Sequence, residues 1–475
     1  MKIALINPPM DFDIALGKAK NIVRYTVMIP HGLASIGAVL QRDGIQCKII
    51  DGYAENLAIQ NIVDRVIEYF PSAVGISMVT PVADIVHRIA KAIKERNRSI
   101  KVILGGPHPS ILPDEVMADN NIDFLVRGEG DYSFLRLIRS LDKGWDIHAV
   151  GGITFRENGK TVHNKTDGYI ADLDELPPPA YELFPMHLYT APPQWSIASP
   201  SYQLIASRGC PYNCAFCCVG MGRQVRFKSA KRVCDEIEYL IKNHKCRQIV
   251  FVDTTFPFNL KHAESICSEI IVRGLDKKIV WFTSTRVDIV SQKMLNMMHK
   301  AGCRLLTFGV ESGNQQILDS VGKNITLAQV ADAVKMAHKA GIDVTASYII
   351  GLPGETHQTV IDTIEFAKKL DTLYAQFNII VPYPGTRIYD YAEKNGLLRN
   401  RKWSNYVSLT SMTDLEPPFI APGLTKEELL ALQRKAYNNY YFRPRLIMKH
   451  LKRMIFNFDL KKYLSLARVL ADTFK

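Results

Sequence analysis

Short apolar runs alternate with amphipathic stretches along most of the chain. In the first 145 residues the runs are 2–7, 47–50, 73–78, 101–104 and 124–126. Between them, residues 31–42 carry Leu33, Ile36 and Leu40 at helical spacing, and 61–70 and 83–96 have the same period. Strands alternating with helices predict an α/β domain, a doubly wound, Rossmann-like parallel sheet. The strand ends carry Asn7-Pro8-Pro9, Asp51-Gly52, Ser77-Met78, Gly105-Gly106 and Arg127-Gly128. Ligands of such sheets bind outside the carboxyl ends of the strands, where glycines let backbone come close.

Residues 146–195 are expected to link two domains. Segments 153–155 and 161–163 form a hairpin around Glu157-Asn158-Gly159. Pro177-Pro178-Pro179 can neither continue a helix nor pair as a central strand. From 196 to 395 the strands are 202–206, 248–252, 279–283, 305–310, 344–350 and 376–381, with helices at 229–242, 291–300, 327–340 and 357–370. Six repeats predict a partial (β/α)6 barrel of TIM type, with active residues at the C-terminal strand ends. Residues 396–475 form a helical, basic C-terminal segment. In it Thr425-Lys426-Glu427-Glu428 is a capping box, and the aromatic stretch 437–445 is expected to cap the substrate side.

A chain of 475 residues can hold two or three domains. Hydrophobic content of 47% and charge of 22% suit a globular protein. The opening residues form a strand rather than a signal peptide. No window of about 18 apolar residues occurs, so no membrane span is expected. Unpaired cysteines point to the reducing cytoplasm. The net charge of +12 is uneven: residues 443–475 hold nine Lys and Arg against Asp459 and Asp472. Within it, 446–458 is amphipathic, with Lys449, Lys452 and Arg453 beside Ile447, Leu451, Ile455 and Phe456. That pattern suits either a solvated helical face or peripheral contact with a membrane, the latter fitting a lipid substrate.

Cys210, Cys214 and Cys217 lie in Ser207-Arg208-Gly209-Cys210-Pro211-Tyr212-Asn213-Cys214-Ala215-Phe216-Cys217, a loop after the first barrel strand. C-x3-C-x2-C can hold three corners of a 4Fe-4S cubane, leaving one iron open to a small molecule. A zinc site wants four ligands, and only Cys218, Cys234 and Cys246 could complete one. Nine scattered cysteines in a chain this long do not form a disulfide framework.

The loop resembles the signature of radical S-adenosylmethionine (SAM) enzymes, in which the open iron is chelated by the SAM amino and carboxylate groups. The resemblance implies that Cys210, Cys214 and Cys217 hold the catalytic cluster and that the Phe216 backbone meets adenine. Asp253 and Thr254 would accept from the amino group, although the superfamily's better-known form there is Gly-Gly-Glu. Arg286 would reach the carboxylate, Glu311 the ribose hydroxyls, and Gly351 the adenine side. A strand-end carboxylate also caps helices, and that reading of Asp253 and Glu311 stands beside the first.

Gly105-Gly106-Pro107-His108-Pro109-Ser110 and Ile122 to Gly130 look like the cobalamin-binding domain that precedes the barrel in cobalamin-dependent radical SAM enzymes. That class includes methylases, cyclases and ring-contracting enzymes. The implied cobalamin contacts are Asn7, Pro8, Asp51, Gly52, Ser77, Gly105, Gly106, His108, Arg127, Gly128 and Glu129. One departure stands out: where relatives with a protein ligand below cobalt have Asp-x-His-x-x-Gly, this chain has Tyr53. Cobalamin is therefore expected base-off, without a protein nitrogen below it.

The resemblance implies reductive cleavage of SAM to a 5′-deoxyadenosyl radical, hydrogen abstraction from a small-molecule or lipid substrate, and methyl transfer from methylcobalamin to an unactivated carbon. The electron would come from a donor such as flavodoxin or ferredoxin. The alternatives are cyclisation or rearrangement without methyl transfer, or modification of RNA with the basic tail on phosphate, although nucleic acid is not the expected partner. A methylthiotransferase needs a second cysteine triad upstream, and the first 200 residues hold only Cys47. The open iron argues against a non-enzymatic carrier.

Overall fold

The computed structural model describes residues 1–10, 27–192, 194–218, 220–407 and 415–457; the basic tail beyond them, with Asp459 and Asp472, lies outside. The chain first builds a seven-stranded sheet in the order β2-β1-β3-β4-β5-β6-β7. Strands β1 (Lys2–Asn7), β2 (Gln46–Asp51), β3 (Ala73–Ser77), β4 (Lys101–Gly105) and β5 (Phe124–Val126) are parallel. Ile3, Leu5, Val74, Ile76 and Leu104 are buried, on one face or the other of the sheet. Burial on both faces is why these strands read as continuous apolar runs. After β2 the winding reverses, so β1 and β3 flank a switch point whose carboxyl ends form a crevice.

The hairpin expected in the linker belongs to this sheet instead. β6 (Ile153–Glu157) and β7 (Lys160–His163) extend it antiparallel, with Val126 opposite Ile153 and Phe124 opposite Phe155. Ile153 and Phe155 are buried there. The three-residue β5 would otherwise be a short open edge over an incomplete core. The stretch after the hairpin packs tightly too: Ala180 N donates to Ala34 O at 3.1 Å. Tyr181 and Phe184 join an apolar core running from Ile3 and Leu5 to Val233 and Ile237.

The second sheet begins with β8 (Ser201–Leu204). A small antiparallel pair follows, β9 (Ser207–Arg208) with β10 (Arg226–Phe227). Then β11 (Gln248–Phe251), β12 (Val280–Thr285), β13 (Cys303–Glu311), β14 (Asp343–Ile350) and β15 (Tyr374–Ile379) run parallel in sequence order beside β8. This is the expected partial barrel of six strands.

The barrel's open edge explains the aromatic C-terminal segment. The helix Lys426–Tyr441 starts at the expected Thr425–Glu428 capping box and lies along β15. Tyr441 OH accepts from Ala375 N at 3.1 Å and donates to Ala375 O at 2.8 Å. Tyr437 OH accepts from Phe377 N at 3.2 Å, and Gln433 Nε2 donates to Phe377 O at 2.6 Å. Polar side chains thus satisfy the outward backbone groups of an edge strand that would otherwise seek another chain. The aromatic residues close a sheet edge rather than cap the substrate side, although Leu429 packs beside Gly351. Part of the region expected to be helical is a strap: Trp403 and Tyr406 sink into the core of the first domain, and Trp403 Nε1 donates to Glu115 Oε1 at 2.7 Å.

Candidate active site

The cysteine loop leaves the end of β8, and the β9–β10 pair forms its neck. Gly209 holds φ +96°, and a Cβ there would lie 2.1 Å from Gln224 O, so the neck admits only glycine. Backbone bonds shape the loop: Cys210 N to Gly222 O at 3.1 Å, Cys217 N to Cys214 O at 3.1 Å, and Ala215 N to Val321 O at 2.8 Å. Cys210 and Cys214 are buried and Cys217 is half-buried. Burial first, then the charges of Cys214 and Cys210, push the Cys217 thiol up to about 11. Three cysteine sulfurs on one loop are the donor set that a cluster with one open iron requires once they are deprotonated on a cationic metal; among the described residues no three such side chains are already drawn together as a metal site. Cys234 and Cys246, the alternative fourth ligands, belong to the apolar core.

Arg286 lies against this loop. Its guanidinium carbon is 3.7 Å from the centre of the Tyr212 ring, and Nη1 is 3.9 Å from Cys214 Sγ. Asp288 takes Nε and Nη2 at 2.9 Å each, and Lys323 O takes Nη2 at 2.8 Å. Its donors are therefore engaged on the loop and its neighbours. Glu311 ends β13 at φ +68°, a left-handed conformation rare outside glycine and a mark of a constrained site. Its Oε1 accepts from Lys323 Nζ at 2.7 Å, and that ammonium lies 5.9 Å from the centre of the Phe216 ring. Gly309 keeps this space open, since a Cβ there would meet Glu311 Oε1 at 2.5 Å. Nothing local in the sequence marks Lys323, since its burial beside the Glu311 carboxylate arises only on folding.

Asp253 is placed differently from Thr254, which is exposed at the strand end. Both Asp253 oxygens accept from Ala206 N at 3.1 Å, and Ser207 Oγ donates at 2.5 Å. Burial pushes its carboxyl up to about 6. Asp253 thus fastens the entry to the cysteine loop.

Gly351, at φ +89°, begins a turn closed by Glu355. Glu355 Oε2 accepts from Gly351 N at 2.6 Å and Leu352 N at 3.1 Å, while burial pushes the carboxyl up to about 7. The folded state prefers the protonated form, so this group's stabilisation is complete below the unfolded value and is lost as pH rises through about 7. Glu355→Gln keeps an acceptor and removes the titration. Its stability relative to wild type is expected to rise by about 2 kcal/mol between pH 5 and 8, read from denaturant melts. A pH-independent difference would contradict the assignment.

At the carboxyl ends of β1, β3, β4 and β5 lies a cavity of about 300 Å³. Ser77, Gly105, Gly106, Gly128 and Glu129 of the expected contacts line it. Its walls are apolar, from Leu5, Leu33, Ile36, Ile103 and Phe134. Gly75 lies at its base, where a Cβ would approach Leu5 and Phe134 to 2.9 Å. A cavity of this size takes only part of a large ligand: an apolar slot under an open glycine rim suits a tail inserted below a flat body, the shape that cobalamin has.

The remaining expected contacts are engaged elsewhere. Asp51 is buried and accepts from Asn7 Nδ2 at 2.8 Å, Ala54 N at 2.9 Å and Tyr189 OH at 2.6 Å. Gly52 N donates to Asn7 O at 2.8 Å, and Pro8 is not among the lining residues. Together Asn7, Asp51 and Gly52 tie β1 to β2 and to the linker. Tyr53 is half-buried beside them and does not line the cavity. His108 is buried, with Nδ1 3.2 Å from Thr80 Oγ1 and its ring against Trp403; burial lowers it to about 4. Arg127 donates to the carbonyls of Asn164 and Ile153 beside the hairpin.

The cysteine loop supplies the cavity's remaining wall through Arg208, Gly220 and Met221. Arg208 Nη1 donates to Asp131 Oδ2 at 2.9 Å and Glu129 Oε1 at 3.3 Å, and Nη2 to Asp131 Oδ1 at 3.2 Å. Arg226 Nη1 donates to Glu129 Oε2 at 2.8 Å.

Comparison with known proteins gives the same two-part division. The Radical SAM superfamily model matches residues 204–367, and the B12 binding domain model matches 17–138. The chain is 38% identical over 452 residues to an uncharacterized methyltransferase of Pyrococcus horikoshii, covering 94% of each. It is 30% identical over 370 residues to an anaerobic magnesium-protoporphyrin IX monomethyl ester cyclase of Rubrivivax gelatinosus, covering 76% of this chain and 65% of the cyclase. The fold is shared with the radical S-adenosylmethionine methyltransferase TsrM from Kitasatospora setae, whose structure holds cobalamin and a 4Fe-4S cluster: TM-score 0.72 at 15% identity, over 94% of this chain and 89% of that one.

Proposed function

The chain belongs to the cobalamin-dependent radical SAM enzymes, a family of methyltransferases and anaerobic cyclases, and on that premise we propose that it transfers a methyl group to an unactivated carbon of a small molecule. The carrying observation is the shared cavity, whose rim comes from the first sheet and whose remaining wall comes from the cysteine loop. On this reading the two cofactor sites share a wall, and the substrate would sit between them.

When bound, the 4Fe-4S cluster, SAM and cobalamin supply one-electron cleavage of a carbon–sulfur bond, an adenosyl radical and a methyl carrier. The protein's share is placement. Cys210, Cys214 and Cys217 hold the cluster, and Arg286 keeps an N–H toward the Cys214 sulfur. Glu311, steadied by Lys323, offers an acceptor for hydroxyls on the Phe216 side of the site. The Gly351–Glu355 turn supports the adenine side. Ser77, Gly105, Gly106, Gly128 and Glu129 would hold the cobalamin. In this reading residues 1–145, joined by the hairpin, form the cobalamin domain. Residues 146–195 connect, 196–395 carry the cluster and SAM, and 396–475 close the barrel edge.

Anaerobic reconstitution with iron, sulfide and hydroxocobalamin tests the reading. About four irons and one corrinoid should remain per chain after desalting. Turnover with SAM and a reductant should then yield 5′-deoxyadenosine and a methylated product. Four irons without corrinoid would exclude cobalamin-mediated methyl transfer. The 30% identity to a cyclase favours ring closure as the second reading; corrinoid uptake with an unmethylated, ring-closed product would select it.

A ferredoxin or flavodoxin class donor fits the electron requirement, and the reducing cytoplasm fits nine unpaired cysteines. No described helix is long and apolar enough to cross a membrane. Peripheral contact is a separate matter. On the helix Pro444–Asn457, Ile447, Met448 and Leu451 are 41%, 53% and 41% exposed, whereas Arg445 and Lys449 turn toward Asp371. These three apolar residues face outward, as on a membrane-surface helix, while Leu446 is buried against the barrel. Co-sedimentation with anionic phospholipid vesicles at low salt is expected, and its absence would remove this contact.

A further inference from the structure

Arg208 and Arg226 stand directly opposite each other in the β9–β10 pair. Like charges at opposed strand positions repel, and here both side chains are largely buried. The compensating charges do not come from the barrel. They come from the turn after β5, at the start of the helix Gly130–Lys143 in the first domain. Glu129 bridges the two arginines, with Oε1 toward Arg208 and Oε2 toward Arg226. Asp131 takes both terminal nitrogens of Arg208, and Ser35 Oγ closes the group by donating to Asp131. The two carboxylates are almost completely buried. Removing either one leaves an uncompensated guanidinium in a low-dielectric site.

Glu129, Asp131 and Arg208 also line the cavity. Arg208 is two residues from Cys210, and Gly209 between them packs so closely on the β10 side of the neck that an added Cβ would lie 2.1 Å from Gln224 O. A ligand resting on the rim therefore touches the acids that hold the neck of the cysteine loop. A metal cluster that orders the loop sets the arginines those acids require.

We infer that Glu129 and Asp131, acting on Arg208 and Arg226, couple the two cofactor sites, so that corrinoid in the cavity and metal on the cysteine loop each strengthen binding of the other. The inference rests on the cobalamin reading of the cavity. These are positioning residues, with no part in bond making. Linkage requires the effect to be reciprocal: whatever factor the cluster adds to corrinoid affinity, the corrinoid must add to cluster retention.

The test is a titration of the full-length protein with hydroxocobalamin, followed by equilibrium dialysis and corrinoid absorbance, before and after anaerobic cluster assembly. Wild type is expected to bind about tenfold or more tightly with the cluster in place, within the usual range of allosteric coupling. Asp131→Asn, which keeps the side-chain volume, is expected to bring that ratio close to one. Because each variant is compared with itself in two states, a general loss of affinity or stability cancels. Arg208→Lys retains the cation and should recover part of the ratio. Equal affinities in the two states of wild type overturn the coupling and leave the cobalamin reading intact. A ratio preserved in Asp131→Asn also overturns the role of this network. No corrinoid uptake in either state, with about four irons bound, overturns the cobalamin reading and the inference with it.

Discussion

Cys214→Ala is expected to abolish cluster assembly, leaving less than one iron per chain after reconstitution and no 5′-deoxyadenosine above background. Cys214 is buried and is the member of the triad in contact with Arg286. Its carbonyl accepts from Cys217 N, and its sulfur is the one that faces Arg286. An alanine leaves two thiols for a cubane that needs three protein corners. The loop itself should survive, since Ala215 N to Val321 O, Ile388 N to Ala215 O and the glycine neck do not involve the thiol. Corrinoid uptake therefore separates two outcomes. Uptake retained at reduced affinity marks a loss confined to the metal site. Iron retained at four per chain would show that the cluster is held by other residues.

The second large effect is expected from Gly105→Leu, which should reduce hydroxocobalamin affinity by at least about a hundredfold while leaving four irons on the loop. The choice follows from the space around each rim glycine. Gly106 has φ +108°, and a Cβ would lie 2.8 Å from Met78 O, so a side chain there disturbs the backbone. Gly128 also has positive φ. Gly105 has no such restriction, and the nearest atom to an added Cβ is Val126 O at 3.6 Å. A leucine can therefore fold in place and fill the cavity its position lines. Unchanged corrinoid affinity with an unchanged melting temperature would move the cobalamin site elsewhere.

Several site residues could be read before any fold was known, for a shared reason. The three cysteines are marked by local spacing on one loop, and Gly105, Gly106 and Gly128 by their place at strand ends, so a short window of residues carries each proposed role. The residues that could not be read take their meaning from distant partners. Lys323 becomes notable only beside Glu311. Asp131 looks like a helix-start acid until Arg208, 77 residues later, is placed against it. Glu355 closes its own turn, but its raised carboxyl follows from burial that the turn does not encode. Asp51, Arg127 and His108 show the converse: strand-end position suggested ligand contact, and tertiary packing used them to fasten the linker, the hairpin and the strap.

By itself, the amino-acid order determined the two parallel sheets, their order in the chain and the three-thiol loop, because apolar period, turn residues and cysteine spacing are local quantities. Tertiary structure alone decided that the hairpin completes the first sheet, that an aromatic helix closes the barrel's edge, and that two acids of one domain neutralise two arginines of the other. Each of these outcomes turns on which unsatisfied edge or buried charge finds which partner across the chain, and that energy exists only once the partners are brought together.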